Sequence, residues 1–191
     1  MAKRILELIA EGFEDVEAVT PADYLRRAGI EVVLAAVGAS KTVKSSRGLT
    51  LVTDTTLAEL SSQGALSAAS WDGIVIPGGM PGASNIAASV TAATLLKEMH
   101  HSGKLVAAIC ASPAVVLAPL GLLSGKRFTC FPGMEKNVSG ALWKEERVVA
   151  DGQVITSRSA GTAGEWSYEI IKHLVGSDGA EKVAAAVLLR H

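Results

Sequence analysis

Cys110 is the residue whose surroundings in the sequence best suit a nucleophile. It follows an apolar run, residues 104–109, and precedes Ala-Ser-Pro, a sequence typical of a strand that turns sharply into a helix. Such a turn lifts the side chain above the edge of a sheet and directs the following backbone N–H groups toward it, as in a nucleophile elbow. The helix dipole and these unpaired amides favour a thiolate, so we expect the pKa of the thiol to be lowered.

The alternative is that Cys110 is simply a buried apolar residue, because free cysteine is among the most buried residue types. The pattern alone leaves both interpretations open. Cys130 lies in another apolar segment, residues 128–131, and has no comparable turn after it. We therefore predict that Cys130 belongs to the core.

A carboxyl group beside the thiol would give the pair acid/base chemistry. Glu17 lies on a predicted helix, residues 14–28, close in sequence to Glu11, Glu14 and Asp15. Each of these acids, taken alone, fits an ordinary solvated charge. A glutamate packed against a thiol would behave differently, because two like charges do not both ionise readily at close range and one proton is shared.

Gly78 and Gly79 end another buried segment, residues 71–77. They form either a plain tight turn or a place where backbone N–H groups approach a developing oxyanion without obstruction by side chains. Gly-Gly-Met-Pro-Gly lacks the spacing of a phosphate or dinucleotide loop, and no Cys/His spacing is typical of zinc. We therefore expect neither a cofactor nor a metal.

The elements that must position these residues alternate between short apolar runs and helical patterns, which predicts one α/β domain over residues 1–191 with a mostly parallel sheet and helices on both faces. In such sheets, ligands bind beyond the carboxyl ends of the strands. The predicted strands are residues 5–10, 31–37, one or two within 45–54, 71–77, 104–109, 128–131 and the hairpin 147–150 with 154–157. The predicted helices are residues 14–28, 55–61 with Asp54 or Thr55 as cap, 83–101 with a break near Ser89, 113–120, 161–175 and 180–189.

Composition excludes several classes of protein. Of 191 residues, 49% are apolar and 19% charged, with a net charge of −1, which excludes intrinsic disorder. The absence of a basic excess, with aromatics at 4%, argues against nucleic acid as the main partner. The apolar runs are too short for a signal peptide or a spanning helix, and two cysteines suit a reducing compartment. We expect a cytoplasmic protein with no membrane partner.

Taken together, the motifs resemble those of the ThiJ/PfpI superfamily, a class I glutamine amidotransferase-like family. The resemblance is to the branch that contains the human Parkinson-disease protein and its bacterial relatives, and it covers about residues 3–175. The motifs that carry it are Glu11-Gly-Phe-Glu-Asp-Val-Glu17, Leu25-Arg-Arg27-Ala-Gly29, Ser45-Ser-Arg47-Gly, Ile76-Pro-Gly-Gly79, Ala107-Ala-Ile-Cys110-Ala-Ser-Pro113 and Thr156-Ser-Arg158.

The resemblance implies a flavodoxin-like three-layer sandwich, a homodimer and an easily oxidised cysteine. It implies these site residues: Cys110 and Glu17 in catalysis, the backbone of Gly78, Gly79 and Ala111 around an oxyanion, with the amides of Gly79 and Ala111 as donors, and Arg27 and Arg47 near the dimer contact and the mouth of the pocket.

The sequence departs from the family pattern in the neighbourhood of the cysteine. Ala111 stands where the protease-like branch has a histidine, which removes a Cys-His nucleophile pair. Phe131 stands where the human member has a histidine, which removes a candidate proton shuttle. Ser159-Ala160 replaces a Gly-Pro pair at the rim of the pocket.

The resemblance, together with the candidate site residues, implies a cofactor-independent glyoxalase related to a protein deglycase. In such an enzyme a thiolate attacks a small reactive aldehyde such as methylglyoxal or glyoxal. The alternative is a redox-sensing chaperone that protects against oxidative stress, in which the same cysteine is oxidised reversibly or to a sulfinic acid. A third interpretation, an old family label for thiamine (thiazole phosphate) biosynthesis, lacks a supporting phosphate loop.

Overall fold

The computed structural model of the protein describes residues 2–190. Its strands are β1 (Arg4–Ile9), β2 (Glu31–Ala36), β3 (Thr42–Lys44), β4 (Thr50–Val52), β5 (Thr55–Thr56), β6 (Gly73–Ile76), β7 (Leu105–Ile109), β8 (Arg127–Phe128), β9 (Leu142–Trp143), β10 (Val148–Asp151) and β11 (Val154–Ser157). Its α-helices are α1 (Asp15–Arg27), α2 (Leu57–Ser62), α3 (Gly82–Ala88), α4 (Val90–His101), α5 (Ala163–Val175) and α6 (Ser177–Ala186). Short helical turns cover Ala68–Ser70, Pro113–Leu117, Met134–Asn137 and Ala160–Thr162.

A seven-stranded sheet forms the middle layer, in the order β10-β11-β7-β6-β1-β2-β5. All neighbours in it are parallel except β10, which runs antiparallel to β11 as the predicted hairpin. Every residue of β6 and β7 is buried, as expected of central parallel strands covered on both faces. One apolar cluster packs α1, α5 and α6 on one face, and another packs α2, α3 and α4 on the opposite face. The predicted three-layer α/β sandwich is confirmed.

Several predicted boundaries were wrong for local reasons. The helix expected at residues 55–61 begins at Leu57, because Thr56 is its cap and forms a capping box with Glu59. Asp54, one of the two predicted caps, instead accepts a hydrogen bond from the Leu34 amide at 2.8 Å. The helix expected at residues 113–120 is one π-helical turn, Pro113–Leu117.

The remaining corrections concern strands. Residues 42–52 form an antiparallel hairpin of β3 and β4, which begins before the predicted segment 45–54. Of the strand predicted at residues 128–131, only Phe128 lies in a strand. That strand, β8, pairs with β9, which was not predicted. The predicted break at Ser89 is confirmed, since the Ser89 hydroxyl caps α4 by accepting from the Ala92 amide at 3.2 Å. Within residues 2–190, no helix is both long and apolar enough to cross a membrane.

An exposed apolar patch links α1 to the β3–β4 hairpin. Val16 and Val19 on α1 and Leu49 and Val52 on the hairpin are all largely exposed, and a cavity of about 210 Å³ lined by Val19 and Leu51 joins the two elements. Apolar patches of this kind often mark contacts between proteins, and most soluble oligomers are twofold homodimers.

We therefore expect a homodimer at micromolar concentration that uses this patch. Sedimentation velocity should give a dimer for the wild type and a shift toward monomer for Val52→Asp, since a carboxylate in the contact would be desolvated without a partner. Val90→Asp, at an exposed valine on α4, is the matched control and should stay dimeric. A monomeric wild type would contradict the prediction.

Glu7 is an acidic residue in the middle of β1, and it is fully buried. It lies on the same face of β1 as Ile5 and Ile9, which belong to the cluster on the α1 and α5 side of the sheet. Neither of its carboxyl oxygens has a hydrogen-bond partner among residues 2–190. Burial raises the pKa of Glu7 well above its ordinary value, and the charge of Arg26 opposes this to a smaller degree. The carboxyl group is therefore stable in the fold as the neutral acid.

Replacing Glu7 with glutamine should stabilise the protein increasingly as the pH rises. The pKa of Glu7 is higher in the folded protein than in the unfolded chain. The neutral acid therefore makes its full contribution to the free energy of unfolding below the unfolded-state pKa, and this contribution is lost as the pH rises toward the folded-state pKa. Each pH unit in that interval costs the wild type about 1.4 kcal/mol relative to a residue that cannot ionise.

Urea unfolding between about pH 4 and about pH 8 measures this difference. Glu146→Gln, at an exposed glutamate, serves as control and should leave the pH dependence unchanged. Equal free energies of unfolding for Glu7→Gln and the wild type at the upper end of this range would count against a neutral buried acid.

Candidate active site

Three neighbouring strands deliver the candidate residues to one edge of the sheet. β7, β6 and β1 are adjacent and parallel, so their carboxyl ends lie side by side. Cys110 follows β7, Gly78 and Gly79 follow β6, and Glu17 lies on the helix that follows β1. The topology therefore brings together the nucleophile, the glycine turn and one of the acids that the sequence singled out.

Cys110 occupies a strained turn. Its φ angle is 63°, in the left-handed region that residues with a side chain seldom adopt, at a cost on the order of 1–3 kcal/mol. The Cys110 amide donates to the Ser157 carbonyl at 3.0 Å, and the Cys110 carbonyl accepts from the Phe131 amide at 2.8 Å. Bonds to two different segments thus hold the backbone, and the predicted sharp turn after β7 is confirmed.

Glu17 is fixed at the start of α1. The carboxylate of Glu14 caps this helix by accepting from the Glu17 amide at 2.8 Å. The Glu17 side chain is fully buried, and its Oε2 accepts from the Gly78 amide at 2.9 Å. Its Oε1 has no aligned hydrogen-bond partner among residues 2–190. Glu17 is therefore not the solvated surface charge that the sequence also allowed.

Gly78 lies between the Glu17 carboxyl group and the Cys110 side chain, and no side chain fits at this position. A Cβ atom on Gly78 would lie 2.6 Å from the Cys110 Cβ and 2.7 Å from the Glu17 Oε2. Both separations are shorter than any non-bonded contact a carbon atom tolerates. The absence of a side chain at this position is what lets the two reactive groups approach each other.

Burial changes the acidity of both reactive groups. It raises the pKa of Glu17 to about 7, against the interactions with the Cys110 thiol and the Gly78 amide that lower it. Burial, followed by the negative charge of Glu17, raises the pKa of Cys110 to about 12. The backbone N–H groups of Gly79 and Ala111 face the sulfur and act in the opposite direction.

The expectation of a lowered thiol pKa was wrong. The helix after Cys110 is a single turn of five residues, and the sulfur is withdrawn from water beside a carboxyl group. The two pKa values instead mean that the pair holds one proton between about pH 7 and about pH 12. A thiolate forms in that range when Glu17 accepts the proton of Cys110, so the carboxylate can act as the base that activates the sulfur.

The pair opens into a cavity of about 570 Å³. Its lining residues are Glu14, Glu17, Ser46, Arg47, Gly79, Met80, Cys110, Ala111, Phe131, Pro132, Met134, Ser159 and Ala160. Arg47 is exposed at this cavity, as expected of a residue at its mouth. Arg27 does not line it, and is paired with Asp23 at 2.8 Å on the exposed surface of α1. A place for Arg27 at a contact between protomers stays a prediction.

Two of the other acids near Glu17 have structural roles of their own. Glu14 caps α1, and Glu11 accepts from the Lys44 amide at 3.0 Å, which ties the loop after β1 to the β3–β4 hairpin. Both oxygens of Asp15 are buried without a hydrogen-bond partner among residues 2–190. Of these four acids, Glu17 is the one that interacts with the thiol, because it lies in the first turn of α1 beside Gly78.

Sequence reasoning did not single out Met80 and Met134 as lining residues. The position of Met80 directly after Gly78-Gly79 was an available signal, whereas Met134 arrives through a loop whose path the sequence does not reveal. A larger concavity of about 720 Å³, lined by Glu145, Glu165 and Tyr168 among others, lies at β10 and α5 and contains no candidate nucleophile. Within residues 2–190, no three His, Cys, Asp or Glu residues are grouped to hold a metal ion.

Comparison with known proteins finds similarity along nearly the whole chain. The model of the DJ-1/PfpI family matches residues 3–173. Protein dj-1beta of Drosophila melanogaster is 37% identical over 193 residues, which is 100% of both chains. Glutathione-independent glyoxalase DJR-1.2 of Caenorhabditis elegans is 33% identical over 176 residues, covering 91% of this chain and 89% of its own. The solved structure of oxidized Toxoplasma gondii DJ-1 has a TM-score of 0.93 at 36% identity and covers 100% of each chain. The predicted flavodoxin-like fold is confirmed by this agreement.

Oxidation by peroxide should modify Cys110 before Cys130. Burial raises the pKa of both thiols, to about 12 and about 11 respectively, so acidity does not favour Cys110. Access does, because Cys110 lines the cavity beside a base whereas Cys130 is fully buried. Peptide mapping by mass spectrometry after mild peroxide treatment would reveal the order, and modification of Cys130 with Cys110 intact would contradict the site assignment.

Proposed function

The chain belongs to the DJ-1/PfpI family, and from the geometry of its site we propose that it is a cofactor-independent glyoxalase acting on 2-oxoaldehydes. The observation that carries this proposal is the Glu17–Cys110 pair, held across Gly78 at the wall of an open cavity. A nucleophile and a base in contact are the two groups that such a conversion requires.

The first step joins the sulfur to the substrate. Glu17 accepts the thiol proton, and the Cys110 sulfur adds to the aldehyde carbon to form a carbon–sulfur bond. The aldehyde oxygen becomes an oxyanion beside the backbone N–H groups of Gly79 and Ala111, and it takes the proton back from Glu17 to give a neutral hemithioacetal. Fixed amides of this kind stabilise developing negative charge because they need no reorganisation.

The second step moves a proton between carbon atoms. The Glu17 carboxylate removes the hydrogen of the former aldehyde carbon as a proton, which leaves an enediolate with its negative charge on the ketone oxygen. Glu17 returns that proton to the ketone carbon, and the proton of the hemithioacetal hydroxyl moves to the ketone oxygen. The first carbon is thereby oxidised to a thioester and the second is reduced to an alcohol, so no external oxidant or reductant is consumed. Water then hydrolyses the thioester, which releases a 2-hydroxy acid and restores the thiol.

A relative supports the proposal from a different direction. The Caenorhabditis elegans protein that is named a glutathione-independent glyoxalase is 33% identical to this chain, over 91% of this chain's length. Phe131 occupies the position where the resemblance led us to look for a histidine shuttle, so Glu17 carries both proton transfers in the proposed mechanism. Removal of aldehyde adducts from proteins, a deglycase reaction, is a related outcome that would use the same cysteine.

A redox role is the second candidate. It is favoured by the accessible position of Cys110 in the cavity and by the solved relative from Toxoplasma gondii, which is described as oxidized. In that role the cysteine would change state once for each equivalent of oxidant, whereas the glyoxalase turns over many substrate molecules. Counting product molecules per protein separates the two.

Glu17→Gln should abolish most turnover while leaving the sulfur reactive. Glutamine still accepts the Gly78 amide but cannot shuttle a proton, and positioned general acid/base catalysis typically contributes about 10²–10⁴-fold to a rate. Since the Glu17 charge raises the pKa of Cys110, alkylation of the thiol should persist or become several-fold faster. The wild-type kcat/KM should rise with pH through about 7 as Glu17 ionises, and the variant should lose this dependence.

Methylglyoxal turnover and iodoacetamide alkylation, each followed across this pH range, measure the two effects. Cys110→Ser should lose both activities, and Glu146→Gln, at an exposed glutamate, should retain both. Turnover by Glu17→Gln at the wild-type rate would reduce the carboxyl group to a packing neighbour and overturn the mechanism.

A further inference from the structure

Three large apolar side chains line the cavity that contains Cys110. Phe131 is 44% exposed and Met80 is 53% exposed, and both line the cavity with the partly buried Met134. We call Met80, Phe131 and Met134 the apolar rim. Large apolar side chains that are exposed together in a cavity offer a surface on which an apolar part of a ligand can pack.

The backbone of two rim residues is connected to the residues around the sulfur. The Phe131 amide donates to the Cys110 carbonyl at 2.8 Å, and Met80 directly follows Gly79, whose amide faces the sulfur. A group attached to the carbon that is bound to the sulfur therefore shares the cavity with these side chains. Among the polar lining residues, Glu14, Ser46 and Arg47 come from the start of α1 and the β3–β4 hairpin, and Ser159 follows β11.

The size of the cavity also exceeds what the smallest aldehydes need. Its volume of about 570 Å³ lies within the range of about 300–1,000 Å³ that is typical of sites for drug-sized ligands. A two- or three-carbon aldehyde would fill a small part of it and would leave the apolar rim in water.

We propose that the site prefers 2-oxoaldehydes whose ketone carbon carries an alkyl chain of several carbons, and that Met80 and Phe131 determine this preference. The inference rests on the function proposed above and assigns its substrate class. The aldehyde carbon bonds to sulfur as before, and the alkyl chain on the ketone carbon lies against the apolar rim. Because this contact forms on binding and not in the proton transfers, it lowers KM and leaves kcat nearly unchanged.

The test compares kcat/KM for methylglyoxal, propylglyoxal and pentylglyoxal, with the 2-hydroxy acid product measured by chromatography. Burying one methylene against such a surface corresponds to about a fourfold change in a binding constant, so kcat/KM should rise by about that factor per added methylene, through KM. Met80→Ala and Phe131→Ala should each flatten this increase, and Phe131→Leu should largely retain it. Val90→Ala, at an exposed valine away from the cavity, should leave the increase as in the wild type.

The outcomes separate this inference from the proposed function. Turnover of all three aldehydes with equal kcat/KM would overturn the preference while the glyoxalase proposal stands. A steep increase that persists in both alanine variants would overturn the assignment of Met80 and Phe131. Absence of turnover of every aldehyde by the wild type would overturn the glyoxalase proposal and the substrate class together.

Discussion

The close approach of Glu17 and Cys110 across Gly78 is the constraint on which the rest of the site depends. The Gly78 amide supplies one hydrogen bond to the buried carboxyl group, and the missing Cβ supplies the space for the thiol. One hydrogen bond offsets only part of the desolvation of a fully buried acid, so the pKa of Glu17 rises to about 7. The geometry that brings the two groups together thus also sets them to exchange a proton near neutral pH.

The architecture that holds this contact was largely predictable from the sequence. The apolar runs that became β1, β6 and β7 alternate with helical patterns, and that alternation leaves few arrangements other than a parallel sheet with aligned carboxyl ends. The sharp turn at Cys110 was predictable for the same reason, since a strand running into Ala-Ser-Pro must change direction at once. The places of Gly78 and Cys110 follow from the order of the strands alone, and the sequence therefore predicted that both lie at the same edge of the sheet.

Properties that depend on burial were not predictable in the same way. Nothing in the spacing of Glu14, Asp15 and Glu17 says which acid faces the thiol, because all three lie within one turn and the rotation of α1 decides. The pKa of Cys110 was predicted in the wrong direction, since the sequence revealed the helix start but not the desolvation of the sulfur. The burial of Glu7 follows from the packing of α1 and α5 against β1, which the strand pattern alone does not reveal.

Phe131 supports Cys110 through its backbone and meets the cavity through its side chain. The hydrogen bond from its amide to the Cys110 carbonyl is available to every residue except proline, so it survives almost any substitution at this position. Met80 is placed in a similar way, because the amide beside the sulfur belongs to Gly79. Evolution can therefore exchange the rim side chains without disturbing the reacting pair, which makes this scaffold suited to acquiring new substrates by single mutations.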